Sequence, residues 1–160
     1  MKKTQLYSQV FIYILTIFLI SFILIYGYNS IKGFIDRAEK VCSLKFRNDI
    51  SNAVESVSSD AGSIKRKNMQ LCGKYTSICF VETFESTISV PPKTDPIIKN
   101  SIDSNTGKNV FLVEDMAKES FYVGNISVEP DILCIKAVNN KVVLKLEGKG
   151  NHVEISQWSS

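Results

Sequence analysis

VFIYILTIFLISFILIYGY, residues 10–28, decides the fold of this chain. Its nineteen residues carry no charge, and only Thr16, Ser21 and Gly27 interrupt the large apolar side chains. As a helix rising about 1.5 Å per residue it covers roughly 28 Å, close to the hydrocarbon thickness of a bilayer. A helix on a soluble surface needs a polar face, and this stretch offers none. The reading is a membrane-spanning helix. A cleaved secretory signal has a shorter apolar core that ends at small residues. Here the run is longer and closes on Tyr26-Gly27-Tyr28-Asn29, so a retained anchor is expected.

Towards the N-terminus stands MKKTQLYSQ, in which Lys2, Lys3 and the terminal amine are positive and no acid offsets them. Beyond the apolar run come Lys32, Asp36, Arg37, Glu39 and Lys40, a mixed set. The excess of cations before the span keeps the N-terminus cytoplasmic and sends the larger part of the chain outside the cell membrane. Lys2 to Gln9, followed by an apolar helix, resembles the class III signal of archaeal type IV pilins: basic residues, a small residue, then Gln. The resemblance implies cleavage between Thr4 and Gln5. It also implies a structural subunit whose N-terminal helix packs on identical subunits in a type IV pilus-like filament. Thr4 stands where that family usually has Gly or Ala, and Gln9 where the fifth mature residue is usually Glu. Without cleavage the segment is a plain signal anchor. The alternative function is then a permanently anchored, single-pass extracytoplasmic binding or assembly module that forms no filament.

Towards the C-terminus the pattern becomes amphipathic. Ile31, Phe34, Ile35, Ala38, Val41, Cys42, Phe46, Ile50, Ala53, Val54 and Val57 recur at intervals of three and four, opposite Lys32, Arg37, Lys40, Arg47, Asn52 and Glu55. Asp36 with Lys40 and Lys45 with Asp49 are acid–base pairs four apart, worth ~0.3 kcal/mol each. One helix is expected from about residue 6 to 60, with Gly27 and Gly33 as bend points and Gly62 as a C-cap. Its second half should cover a sheet made by the rest of the chain.

Beyond Gly62 short β-like runs follow. Strands are expected at Ser63–Leu71, Tyr75–Phe84, Val110–Val113 and Ser120–Glu129. Cys72-Gly73-Lys74 reads as a turn between the first two. Asp95 followed by Pro96 signals a short helix over Pro96–Ser104. Asp131–Val138, Lys141–Glu147 and His152–Ser156 read as a three-stranded meander, its first turn made by Asn139-Asn140, which tolerate positive φ. The fold class is α+β: a long N-terminal helix, transmembrane then amphipathic, packed on a small antiparallel β-sheet domain. The expected parts are 1–30, 31–62 and 63–160.

A net charge of +3 over 160 residues, with acids interleaved among the lysines, gives no footprint for nucleic acid. Cys42, Cys72, Cys79 and Cys134 form an even set that allows three disulfide connectivities, with free buried thiols as the alternative. Cys72 with Cys79 would close a hairpin; Cys42 with a strand cysteine would staple helix to sheet. Zinc sites use close Cys pairs or neighbouring His. Neither occurs, so no metal and no cofactor is expected. The chain has no phosphate-binding glycine loop, no G-x-S-x-G and no H-E-x-x-H, so no enzyme activity and no small-molecule substrate are inferred. His152, the single histidine, reads as a surface residue beside a turn. Asp95, Asp103, Glu114 and Asp115 sit at element ends, where capping and solvation account for them. Asn125-Ile126-Ser127 is an N-glycosylation sequon inside an expected strand. Lys65-Arg66-Lys67 reads as a solvated strand edge, with anionic headgroups as the alternative contact. Trp158 is expected to cap the core of the sheet.

Overall fold

The computed structural model describes residues 3–83 and 88–158, with side chains from Val10 onward except Asp36. Its architecture is α+β. In chain order come α1 (Lys3–Ser58), β1 (Ile64–Gln70), β2 (Ser77–Val81), α2 (Pro96–Asp103), β3 (Val110–Val113), β4 (Ala117–Phe121), β5 (Ile126–Val128), β6 (Ile132–Lys136), β7 (Lys141–Gly148) and β8 (Val153–Gln157). The chain divides into two units, one ending at Lys40 and one beginning at Val41, so α1 contributes to both. Gly27 and Gly33 lie inside a single helix of 56 residues. The Asp36–Lys40 pair and Phe84 at the end of the second expected strand fall outside the described residues.

In the second unit the strands form two sheets, one in the order β1-β7-β8-β5 and one in the order β4-β3-β2-β6. The first is antiparallel except for the parallel β5–β8 pair; the second is antiparallel throughout. The C-terminal part of α1 and the inner faces of both sheets share one core. Phe46, Ile50, Val54 and Val57 of α1 belong to it, with Leu144, Leu146 and Ile155 from the first sheet and Ile78, Phe80 and Leu112 from the second. Alternation along β7 explains why the even positions are inside: Val142, Leu144 and Leu146 are buried, while Val143, Lys145 and Glu147 face outward. Strands β2 and β3 read as unbroken apolar runs because both of their faces are covered. Ile78 and Phe80 enter the main core, whereas Cys79, Val81 and Phe111 join a second cluster closed by Ile98 of α2.

Helix α2 begins as its sequence signals. Asp95 accepts from the Ile97 N–H at 2.8 Å, and Pro96 occupies the first helical position. The other oxygen of Asp95 accepts from the Ala117 N–H at 2.8 Å, so the cap also ties α2 to the start of β4.

The structure departs from the expected pairings at three of the four places where the chain changes sheet. The Asn139-Asn140 turn forms, with φ of 52° and 58°, and Val138 and Lys141 exchange hydrogen bonds of 2.9 and 3.0 Å. Past the turn the strands part. β6 pairs with β2, placing Cys134 opposite Cys79, while β7 pairs with β1 and β8. The expected three-stranded meander is therefore reduced to the β7–β8 pair. The Cys72 turn also forms, Tyr75 N–H donating to Cys72 O at 2.9 Å, but it carries the chain from one sheet to the other and makes no hairpin. The single strand expected over Ser120–Glu129 breaks at Gly124 (φ 111°) into β4 and β5, which lie in different sheets. A turn fixes local geometry, whereas pairing follows from which apolar face is covered.

Buried polar groups hold that break. Asn109, fully buried, donates from Nδ2 to Gly124 O at 2.6 Å and accepts at Oδ1 from the Val123 N–H at 3.1 Å. Glu82 accepts from the Val128 N–H at 2.9 Å, and Thr83 Oγ1 accepts from the Ile126 N–H at 3.1 Å. These contacts satisfy backbone donors where no ladder continues.

Gly62 does not cap α1. The helix ends at Ser58, and the Gly62 N–H donates to Gly148 O at 2.7 Å while the Gly148 N–H donates to Ser63 O at 2.9 Å. A Cβ on Gly148 would overlap the carbonyl oxygens of Val57 and Asp60, so the end of α1 and β7 approach backbone to backbone. Trp158 also departs from its expected place. It is half-buried outside the core, with the Arg66 guanidinium 5.4 Å from its ring centroid.

Candidate functional site

The candidate site is the apolar stretch of α1. From Val10 to Tyr28 every large apolar side chain is 47–69% exposed among the described residues. This helix is long and apolar enough to cross a membrane. The hydroxyls of Thr16 and Ser21 are satisfied within the helix. Thr16 Oγ1 donates to Tyr13 O and Ser21 Oγ to Ile17 O, both at 2.9 Å, so neither leaves a polar group bare in hydrocarbon. Phe18, Phe22 and Tyr26, four residues apart, stack along one face with centroids 6.5 and 5.1 Å apart. Tyr26 and Tyr28 close the stretch with the amphipathic rings that suit a membrane interface. Thr4 and Gln5 lie in the first turns of α1, and their side chains fall outside the described residues.

The apolar stripe that follows has two fates. Ile31, Phe34, Ile35 and Val41 stay exposed. Burial against the β domain begins at Cys42 and is complete from Phe46. Within the second unit the expected helix–sheet contact is made by Cys42, Phe46, Ile50, Ala53, Val54 and Val57.

All four cysteines are paired, Cys42 with Cys72 and Cys79 with Cys134. The hairpin pairing of Cys72 with Cys79 does not occur, because the turn between β1 and β2 changes sheet. The first bridge, with Cα atoms 5.8 Å apart, staples α1 to that turn. The second joins directly opposed residues of β2 and β6. Glu119 reinforces the first bridge from β4: it accepts from the Tyr75 hydroxyl at 2.5 Å and from the Ser43 hydroxyl of α1.

Open surface grooves lie among the described residues of this unit. One of about 360 Å³ runs past Arg47, Lys118 and Phe121, with the Arg47 guanidinium 5.6 Å from the Phe121 centroid. One of about 490 Å³ overlies Cys79, Cys134 and Asp95. The third, about 350 Å³, is bordered by Val54, Tyr122 and Asn125. Among the described residues no three His, Cys, Asp or Glu side chains gather as metal donors. His152 Nδ1 lies 2.7 Å from Asn151 Oδ1 at the turn before β8. Lys65 Nζ donates to Ser56 Oγ at 3.1 Å, and Arg66 lies over Trp158, so the basic edge of β1 is partly engaged within the domain.

The exposed face of the first sheet carries a chain of ion pairs. Glu147 lies 2.8 Å from Lys145 and 2.6 Å from Lys149, and Lys149 lies 2.8 Å from Glu154. Hydrogen bonds from Lys145 and Lys149 lower the Glu147 pKa to about 2, and hydrogen bonds to Glu147 and Glu154 raise that of Lys149.

Asn125, expected within a strand, lies in the exposed turn between β4 and β5. A sequon in a β-rich run hid this turn; Gly124 just before it was the available signal. No family model, curated protein or solved structure matches the chain.

Proposed function

We propose that this chain is a single-pass membrane protein acting as a pilin-like structural subunit, with a cytoplasmic N-terminus and an extracytoplasmic β-rich domain. One observation carries the reading. A single helix exposes an uncharged, almost wholly apolar surface over Val10–Tyr28, and its later turns are stapled by Cys42–Cys72 into a β domain. The cations Lys2 and Lys3 favour the cytoplasmic side for the N-terminus. Paired cysteines suit an oxidising compartment. The role is structural rather than catalytic. The helix sits in the bilayer before assembly and packs on identical helices after it, so the partners are lipid and further copies of the chain. The domain then lies at the cell surface or on a filament.

The mass of the native N-terminus tests the reading. A chain starting at Gln5 in assembled material supports processing and polymerisation. A chain that keeps Met1–Thr4 in such material contradicts it. Thr4 and Gln9 favour the second reading, an uncleaved anchor that holds the domain at the membrane as a binding or assembly module. That reading predicts an intact N-terminus and a chain found only in the membrane fraction.

A further inference from the structure

We propose that Asn125 is a site of N-linked glycosylation. The sequon is Asn125-Ile126-Ser127. Its acceptor side chain is exposed in the turn that joins β4 to β5. Asn125 Oδ1 accepts from the Tyr122 hydroxyl at 2.9 Å, while Nδ2 has no bond among the described residues. A sugar on Nδ2 leaves that hydrogen bond intact, because the amide oxygen is untouched. The groove of about 350 Å³ beside Asn125 gives the first sugar a place to lie. The half-exposed ring of Tyr122 supplies apolar surface for a sugar face, and Ser51, Glu55 and Asn151 supply hydrogen-bonding groups for its hydroxyls.

The co-reactant is an oligosaccharide carried on a polyisoprenoid phosphate. The Asn125 Nδ2 forms a bond to the anomeric carbon of the first sugar and gives up one proton. The bond between that carbon and the phosphate oxygen breaks, and the polyisoprenoid phosphate leaves with the electron pair. No oxidation occurs. Ile126 is fully buried, and Ser127 is paired with Glu154 across β5 and β8. The backbone of both residues is held in the β5–β8 ladder, so the sequon can bend to fit a transferase only before β5 docks, and transfer precedes completion of the fold. The proposal rests on the extracytoplasmic location of the domain.

The test is to make the full-length chain in a membrane system that performs N-glycosylation and to read the intact mass and the Asn125 peptide. We expect a gain of one oligosaccharide, lost in both Asn125→Gln and Ser127→Ala and kept in Ser127→Thr. Non-reducing mapping of the two disulfides shows that each variant folds. A location control is Pro92→Asn, which completes a sequon with Lys93 and Thr94 in an exposed loop. Sugar at position 92 with Asn125 bare overturns the site. Both positions bare overturn the extracytoplasmic location and the proposal with it.

Discussion

At Gly148 a single methyl group would meet backbone rather than side chain, since the carbonyls of Val57 and Asp60 occupy the space. Side chains rotate away from a clash; two hydrogen-bonded backbones do not. Gly148→Ala should therefore destabilise the domain by about 2–4 kcal/mol, read as a lowered midpoint in thermal unfolding of the full-length chain in detergent. An unchanged midpoint would show that the end of α1 and β7 are not held together. On the same strand, Glu147 keeps its charge well into acid. Its folded pKa lies below the ordinary carboxylate value, so its contribution to stability is present above about 4.5 and is lost as pH falls through about 2. Lys149 works in the opposite sense: its pKa is raised, so its contribution is present below 10.5 and lost as pH rises through the raised value. A carboxyl titration followed by NMR should place Glu147 near 2, and Lys149→Ala should move it upward. A midpoint at 4.5 in the unmodified chain would contradict the ion-pair chain.

The elements differ in how far they can be read from residues alone. Helix α1 is legible because its signal is long: an uncharged run, then apolar residues every three and four positions. Helix α2 is legible because Asp95-Pro96 names its own start. Strands β3 and β7 fall where alternation and β-branched content put them. Pairing is not legible, because the chain changes sheet at the Cys72 turn, at Gly124, between β5 and β6 and at Asn139-Asn140, and all but the third of these look locally like a hairpin or a strand interior. The cysteine connectivity follows from pairing, so it was open for the same reason. Where the ladders break, buried side chains replace them, and Asn109 is the most enclosed. Asn109→Ala leaves the Val123 N–H and Gly124 O without that partner and should cost about 2–3 kcal/mol, checked by denaturant unfolding. The Cys42–Cys72 bridge spans 30 residues of sequence. Loop-closure entropy assigns it about 3–4 kcal/mol, so Cys42→Ser with Cys72→Ser should unfold the domain at correspondingly lower denaturant. An unaltered midpoint would mean that burial of Phe46, Ile50 and Val54 fixes the helix without the bridge.

For the molecule as a whole, the proposed function asks one helix to serve two solvents. Its first stretch has exposed apolar side chains among the described residues, and its later turns enter a core shared with two sheets. The central claim is that Val10–Tyr28 spans a membrane and leaves the β domain outside. Labelling intact cells with a membrane-impermeant amine reagent, followed by peptide mapping of the full-length chain, tests this directly. With the β domain outside, the exposed amines of Lys93, Lys99 and Lys108 are modified before lysis and the chain stays in the membrane fraction. Modification of these lysines only after lysis would contradict it.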